Sequence, residues 1–300
     1  MLTLIKGAVF PVVFVGSLLA FEALLTMGIE PGVSLLAMTV ANVAVIALLE
    51  LVFPLRPDWA WWRDAQSIND LIHGALLSVI GPRLGEIALS TSIATGAAYL
   101  STHVEGGVWP ASWPLWIQVL LATVIADFTD WTKHWAYHHV PFLWPVHALH
   151  HSPDKMHVFK AGRLHFLEAT VRFAVVSAPL IVLGAGADVI IWYAALLNVL
   201  GNLNHSNVHM PMPGFVHNFF ATPDVHRLHH EIDASLGRSN LSPGTMLPDH
   251  LFGTFRHPVR HQLRNVGIDA NPIPGNLLAQ MASPLIWPLL VWRRRAKANP

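Results

Sequence analysis

Two apolar runs, Gly7 to Ile29 and Gly32 to Phe53, lie almost back to back. Each reaches the roughly 20 residues that carry a helix across the hydrocarbon core of a bilayer. Water is missing there, so the backbone must satisfy its own hydrogen bonds, and a helix does this within one segment. Further candidate membrane segments follow at 70–101, 114–132, a hairpin over 169–204 and a weaker stretch at 275–292. With 53% hydrophobic and 12% charged residues, the chain has too little charge to coat a soluble surface. The expected fold is therefore all-α and multi-pass, a single membrane-embedded domain over 1–300. The first run follows Lys6 closely, but it is long and a second run follows with no small-residue cleavage site. It reads as a retained helix, not a signal peptide.

Basic residues orient the helices, because short cytoplasmic loops keep Lys and Arg. The loops expected to face outward, Ile29 to Gly32, Thr102 to Trp113 and Gly184 to Asp188, contain neither. Of the 18 basic residues, all but Arg83 fall in segments assigned to the cytoplasmic side or its boundary, ending in Arg293, Arg294, Arg295 and Lys297. Segment 70–101 carries Arg83 and Glu86 beside Gly81, Pro82 and Gly85, which predicts a broken or partly interfacial helix. Segment 275–292 contains Pro284 and Pro288 and is expected to lie on the membrane or dip into it.

Histidine is the chemical anomaly. Of 19, 14 lie between His134 and His230, and the first 72 residues have none. Ten form four clusters: His134 and His138; His147, His150 and His151; His205 and His209; His226, His229 and His230. The spacings HxxxH and HxxHH place two or three imidazoles of each cluster on one helix face. Ten are too many for one ion, which takes roughly six ligands, and they suit two metals with room left for oxygen or water. Cysteine is absent, which excludes thiolate haem, iron–sulfur clusters and disulfides. The charge balance of zero argues against a nucleic-acid partner. The isolated His73, His103, His257 and His261 read as interfacial or core residues. His139, His157, His165, His217 and His250 stand between the two readings, supporting the site or serving the fold.

Several blocks then resemble the fatty acid hydroxylase and sterol desaturase superfamily. They are Asp127 with His134 and His138; Leu143-Trp144, His147 and His150-His151-Ser152; Arg163-Leu164-His165-Phe166-Leu167-Glu168; His205-Ser206-Asn207; Thr222 to His230; and Asp249-His250-Leu251-Phe252-Gly253-Thr254. The similarity runs from about Asp127 to Thr254, within a family-like catalytic core of 118–256. Phe166 stands where the family has Pro, Trp135 where Arg is common, and Leu241 and Pro248 where aromatic residues are usual.

The resemblance implies a cytoplasmic helical cap in which the ten clustered histidines hold two iron ions. It also implies that O2 is co-substrate and that a C–H bond of a sterol, fatty acyl chain or related lipid is hydroxylated or desaturated. Asp127 and Asn207 are expected to serve catalysis, Asp127 by supporting a ligating imidazole or, alternatively, by capping a helix or pairing with an ion. Arg163 and Glu168, five apart, could pair with each other, and Gly253 is expected in a turn. With no haem or flavin motif, electrons should come from a separate donor, a ferredoxin or a cytochrome b5-like protein with its reductase. Arg exceeding Lys leans toward a bacterial inner membrane. The rival reading is a membrane metal transporter or metal-binding protein, whose site belongs near the bilayer midplane on broken helices. A zinc hydrolase would use fewer ligands and an activating carboxylate, and HExxH is absent. A bis-histidine haem protein would need facing His pairs within the bilayer.

Overall fold

The computed structural model describes residues 2–104, 107–261 and 265–298. Glu105 and Gly106 of the expected outward loop and Arg264 lie outside the described residues, as do the side chains of Pro82, Arg295 and Lys297. Among the described residues the chain is helical throughout, and backbone pairing between extended segments is confined to three isolated bridges.

The long helices are α1 (Leu2–Thr26), α2 (Pro31–Val52), α3 (Ser67–His103) and α4 (Leu115–His139). A short α5 (Trp144–His151) follows. Then α6 (Phe166–Arg172) runs through a π-helical turn at Phe173–Ser177 into α7 (Ala178–Leu183), and α8 (Ala187–His205) returns. The remaining helices are α9 (Pro223–His229), α10 (Ala234–Gly237), α11 (Leu247–Leu251) and α12 (Leu277–Ala298).

Among the described residues, three helical stretches are long and apolar enough to cross a membrane: Thr3–Thr26, Pro31–Val52 and Phe166–Leu183. A fourth is available if the two halves of α3 count as one span. That helix bends by 58° between Ile87 and Leu89, matching the break expected from the glycines and charges of this run. The expected segments at 114–132 and in the second arm of the hairpin are present as α4 and α8, yet neither is among those three. Both are long, but they bury polar side chains, Gln118, Thr123, Asp127 and Asp130 in α4 and Asn202 and Asn204 in α8. Helix α8 packs on two sides, whereas α4 keeps an exposed apolar face with Trp116 and Leu120.

Helix α8 holds the bundle together with two faces. Ala195, Val199 and Leu203 pack with Val9, Val13 and Phe21 of α1 and Met38 and Ile46 of α2. Val189, Tyr193 and Leu197 pack with Val119, Ala122 and Ala126 of α4 and Leu180 of α7. Each set repeats at four residues, the spacing of one helical stripe. A polar chain crosses the first interface: Asn202 donates to Asn42, Asn42 donates to Ser17, and Thr39 donates to Asn198. Such hydrogen bonds tie apolar helices together where lipid offers no competing partner.

The two ends of the bundle differ. At one end the chain turns tightly at Gly184, whose φ of +95° a residue with a Cβ rarely adopts, and Trp109 packs there beside Ala185. At the other end lie the last residues of α2, α4 and α8 and the first of α3 and α6, covered by the short helices. Glu50 near the end of α2 accepts from the backbone N–H groups of Val158 and Asn207, both at 2.8 Å. Asp70 in the first turn of α3 receives Lys160 at 2.6 Å and Arg163 at 2.7 Å. Gly162 permits this, because a Cβ there would stand 2.8 Å from the Cα of Gly74. All four histidine clusters sit at this covered end.

Removing one partner of a buried ion pair strands the other, at a cost of about 3–5 kcal/mol. Asp70 is fully buried and serves both Lys160 and Arg163. Asp70→Ala should therefore lower stability by about 3 kcal/mol or more, read as a shift in the denaturation midpoint of the detergent-solubilised chain by circular dichroism.

Candidate metal centre

Nine of the ten clustered histidines converge in two adjacent sets. His134, His138, His147, His151 and His229 form one, and His150, His205, His226 and His230 the other; within each set the candidate ligand atoms lie within 4.8 Å of one another. The HxxHH helices serve both. On α5, His147 and His151 join the first set and His150 the second; on α9 and its end, His229 joins the first and His226 and His230 the second. The i, i+4 pair and the intervening residue thus point to different sets, a finer division than a single ligating face. The sets touch where the rings of His151 and His230 stack at 4.3 Å.

The outer nitrogens fix the inner ones. The Nδ1–H of His134 donates to the carbonyl of Leu241 at 2.7 Å, that of His229 to Ser239 at 2.9 Å and that of His205 to Gly201 at 2.7 Å. His147 Nδ1 is 2.9 Å from Glu168 Oε1, and His150 Nδ1 is 3.4 Å from the Arg163 carbonyl. A carbonyl or carboxylate oxygen only accepts, so in these rings the proton sits on Nδ1 and Nε2 keeps its lone pair. Yet Nε2 of His147 lies 2.9 Å from Nε2 of His134 and 3.0 Å from that of His151. In the second set the Nε2 atoms of His205 and His150 are 3.2 Å apart, His226 and His205 3.0 Å, and His230 and His226 3.1 Å. The Nε2 atoms of His138 and His229 are buried with no hydrogen-bond partner among the described residues.

Lone pairs facing one another at this spacing repel unless a cation lies among them. Ligands about 2.1 Å from one ion and at right angles to each other lie about 3 Å apart, which the residues present fit. Tyr137 and Trp144 wall the first set, Tyr137 stacked on His147 at 5.3 Å.

One loop supplies two of the orienting carbonyls. Ser239 and Leu241 flank Asn240, whose φ of 56° turns the backbone between them, and whose side chain bonds the backbone of Val225 and Arg256. Asp249 holds the loop by accepting the N–H groups of Leu241 and Ser242 and the hydroxyl of Thr254. Asp127 holds it from α4, where Oδ2 accepts from the N–H and hydroxyl of Thr245, both at 2.6 Å. Asp127 contacts no histidine in these bonds and acts on His134 only through this loop.

Three other expected positions fall elsewhere. His209 is exposed, with Nδ1 3.3 Å from Lys6 Nζ, because the chain leaves α8 at His205 in extended form and the HxxxH spacing no longer shares a helix face. Asn207 clamps Arg56, accepting its N–H and donating to its carbonyl, so both halves of the amide serve the backbone. Arg163 pairs with Asp70 and not with Glu168, and Glu168 instead orients His147. Of the intermediate histidines, His157 meets Asp64, His165 bonds Met281 O, His217 bonds Thr222 and His250 bonds Asn218 O. Gly253 turns with φ +72°, as its position after two apolar residues suggested.

An all-helical bundle with membrane-length apolar helices and a cap of two imidazole sets defines a membrane protein equipped to hold metal. The fatty acid hydroxylase profile matches residues 119–254. The chain is 36% identical over 249 residues to the ornithine lipid hydroxylase OlsE of Rhizobium tropici, covering 81% of this chain and 73% of that protein. The chain belongs to the fatty acid hydroxylase family. No solved structure matches it.

Burial, with the neighbouring imidazoles, pushes His147, His150, His151, His226 and His230 well below the ordinary value of 6.5. The unfolded chain therefore takes up protons near pH 6.5 that the fold resists. The stability is full above that pH and is lost as pH falls below it. The metal-free protein should melt about 5 °C or more lower at pH 5.5 than at pH 7.5, and bound metal should be released over the same interval. By elemental analysis, His150→Ala and His226→Ala should each lose metal, whereas His209→Ala should retain the wild-type content.

Proposed function

We propose that the chain is an O2-dependent lipid hydroxylase in which the nine converging histidines hold two iron ions. The observation that carries this reading is the pair of imidazole sets sharing α5 and α9, in a chain related to an ornithine lipid hydroxylase. Iron bound there would supply the oxidant that activates O2 toward a C–H bond. The reaction balances as R–H plus O2, two electrons and two protons, giving R–OH and water.

The protein's own contribution is to hold and to exclude. Leu241, Ser239 and Gly201 carbonyls and the Glu168 carboxylate keep their imidazoles in one tautomer, with Nε2 inward. Glu168 also places a buried carboxyl against His147 of the first set. Tyr137 and Trp144 cover the first set with aromatic surface. The two electrons come from a separate donor, a ferredoxin or a cytochrome b5-like protein with its reductase, docking on the covered end of the bundle. That end faces the cytoplasm of a bacterial inner membrane, in keeping with the loop charges.

A metal transporter places its site within the span, between broken helices. Here the sets lie at the helix ends beneath the short helices. The decisive measurement is reconstitution with ferrous iron under reducing conditions. About two irons per chain should bind, and an ornithine lipid should gain one oxygen atom with stoichiometric O2 consumption. His147→Ala with His150→Ala should reduce turnover at least about a hundredfold. Loss of two hydrogens would assign a desaturase, and metal uptake into vesicles without O2 consumption would overturn the proposal.

A further inference from the structure

A cavity of about 420 Å3 opens onto the first imidazole set, with His138 and His151 in its wall beside Trp144, Trp287, Arg238 and Asp269. A second cavity, of about 380 Å3, is lined by Arg56, His217, Asp224 and Arg227 and touches none of the nine converging histidines. Of these two cavities, the larger is the one that borders the first set.

We propose that this cavity is the headgroup site of the lipid substrate and that it selects an amino-acid head carrying both an ammonium and a free carboxylate. The proposal rests on the hydroxylase reading above.

The first support is charge. Arg238 and Asp269 line the cavity, both are exposed, and among the described residues neither lies within ion-pair distance of an opposite charge, including each other. The buried basic side chains Lys160, Arg163 and Arg227 are neutralised within the cap, Lys160 by Asp64 and Asp70, Arg163 by Asp70 and Arg227 by Asp224, whereas Arg238 is exposed to the cavity. Two opposite charges held apart on one cavity complement a ligand whose own charges are held apart. The Arg238 guanidinium suits a carboxylate, which it can meet with two parallel hydrogen bonds. Asp269 suits the ammonium, and the indole faces of Trp144 and Trp287 add attraction for the same cation.

The second support is anchoring. Arg238 directly precedes Ser239, whose carbonyl holds His229. Asp269 stands two residues after Gly267, whose N–H donates to the carbonyl of His230 at 3.0 Å. Glu231 pairs with Val266 as an antiparallel bridge, and its Oε1 accepts the Asn265 N–H. Both charges are thus tied, within one or two residues, to backbone that also carries the imidazole sets.

The third support is the route for the tail. Trp287 comes from α12, which exposes Leu278, Leu285 and Trp292. An acyl chain can lie along this apolar helix while its head enters the cavity.

Binding to the metal-free full chain in the uncharged detergent dodecyl maltoside tests the site without turnover. N-dodecanoyl-ornithine carries both charges, its methyl ester only the ammonium, and N-dodecanoyl-norvaline only the carboxylate. The wild type should bind the first at least about tenfold tighter than either of the others, a difference of about 1.4 kcal/mol. Arg238→Gln should abolish the advantage over the ester and leave ester binding unchanged. Asp269→Asn should abolish the advantage over the norvaline compound and leave that one unchanged. Arg238→Lys should keep a preference for the zwitterion and, as a conservative change, keeps the test alive if Arg238→Gln fails to fold. Equal binding of the three compounds to wild type, or an undiminished preference in both neutral variants, overturns the proposal. So does tighter binding of lysophosphatidylethanolamine than of N-dodecanoyl-ornithine. If wild type hydroxylates lipid but shows no zwitterion preference, the headgroup site alone falls. A preference without O2-dependent turnover leaves the site standing and removes the hydroxylase reading.

Discussion

The arrangement depends on a proton being kept on the far nitrogen of His134, His147, His205 and His229. A neutral ring has one donor and one acceptor, and whichever nitrogen meets an oxygen must be the donor. By giving His134, His205 and His229 backbone carbonyls on their outer side, and His147 a carboxylate, the fold leaves their lone pairs facing inward. Burial then keeps the α5 and α9 rings from taking up a second proton, since a charged imidazolium would lose its water and crowd against neighbouring imidazoles. The tautomer of those four rings is therefore set by the fold and not by a metal.

Those outer oxygens have to be placed, and this explains why the cap is bound so tightly to the bundle. Gly201 lies one turn before His205 on α8, so that carbonyl comes with the helix. Leu241 and Ser239 are on a loop with no regular structure, and they need Asp127 of α4, Asp249 and Asn240 to hold them. Arg163 bonds Ser152 Oγ and the Leu149 carbonyl at the end of α5, and the same guanidinium reaches Asp70 of α3. The membrane helices therefore set the position of α5 through one buried ion pair and the position of the orienting loop through one carboxylate.

The sequence made the helical fold, the bend in α3 and the concentration of histidine at one end legible, because apolar length and residue spacing are local properties. It did not separate α4 and α8 from the more apolar runs, since they differ from them only by a few polar residues. It assigned His209 by extending a helical spacing past the point where α8 stops. Ser206 is already extended at ψ 148°, and a change of backbone there moves His209 off the face. The partners of Glu168 and Asn207 were not legible for a related reason. These partners, His147 and Arg56, are 21 and 151 residues away, and no spacing rule reaches that far. A carboxylate in a conspicuously cationic neighbourhood was the available signal for Glu168.

The division of each HxxHH motif gives the pattern its physical sense. Residues i and i+4 are close to one above the other on a helix, whereas i+3 is turned away by about 60° from i. One short helix can thus serve two centres, with the pair on one and the intermediate residue on the other. Two such helices, α5 and α9, hold the sets at a fixed separation, and His151 stacked on His230 marks where they meet. A single long helix could not do this, because its ligands would spread along an axis at 1.5 Å per residue. Short helices, each entered through a proline at its first or second position, start and stop within the site and deliver three ligands apiece. The cap is built of fragments because two adjacent centres need ligands from several directions within a few ångströms.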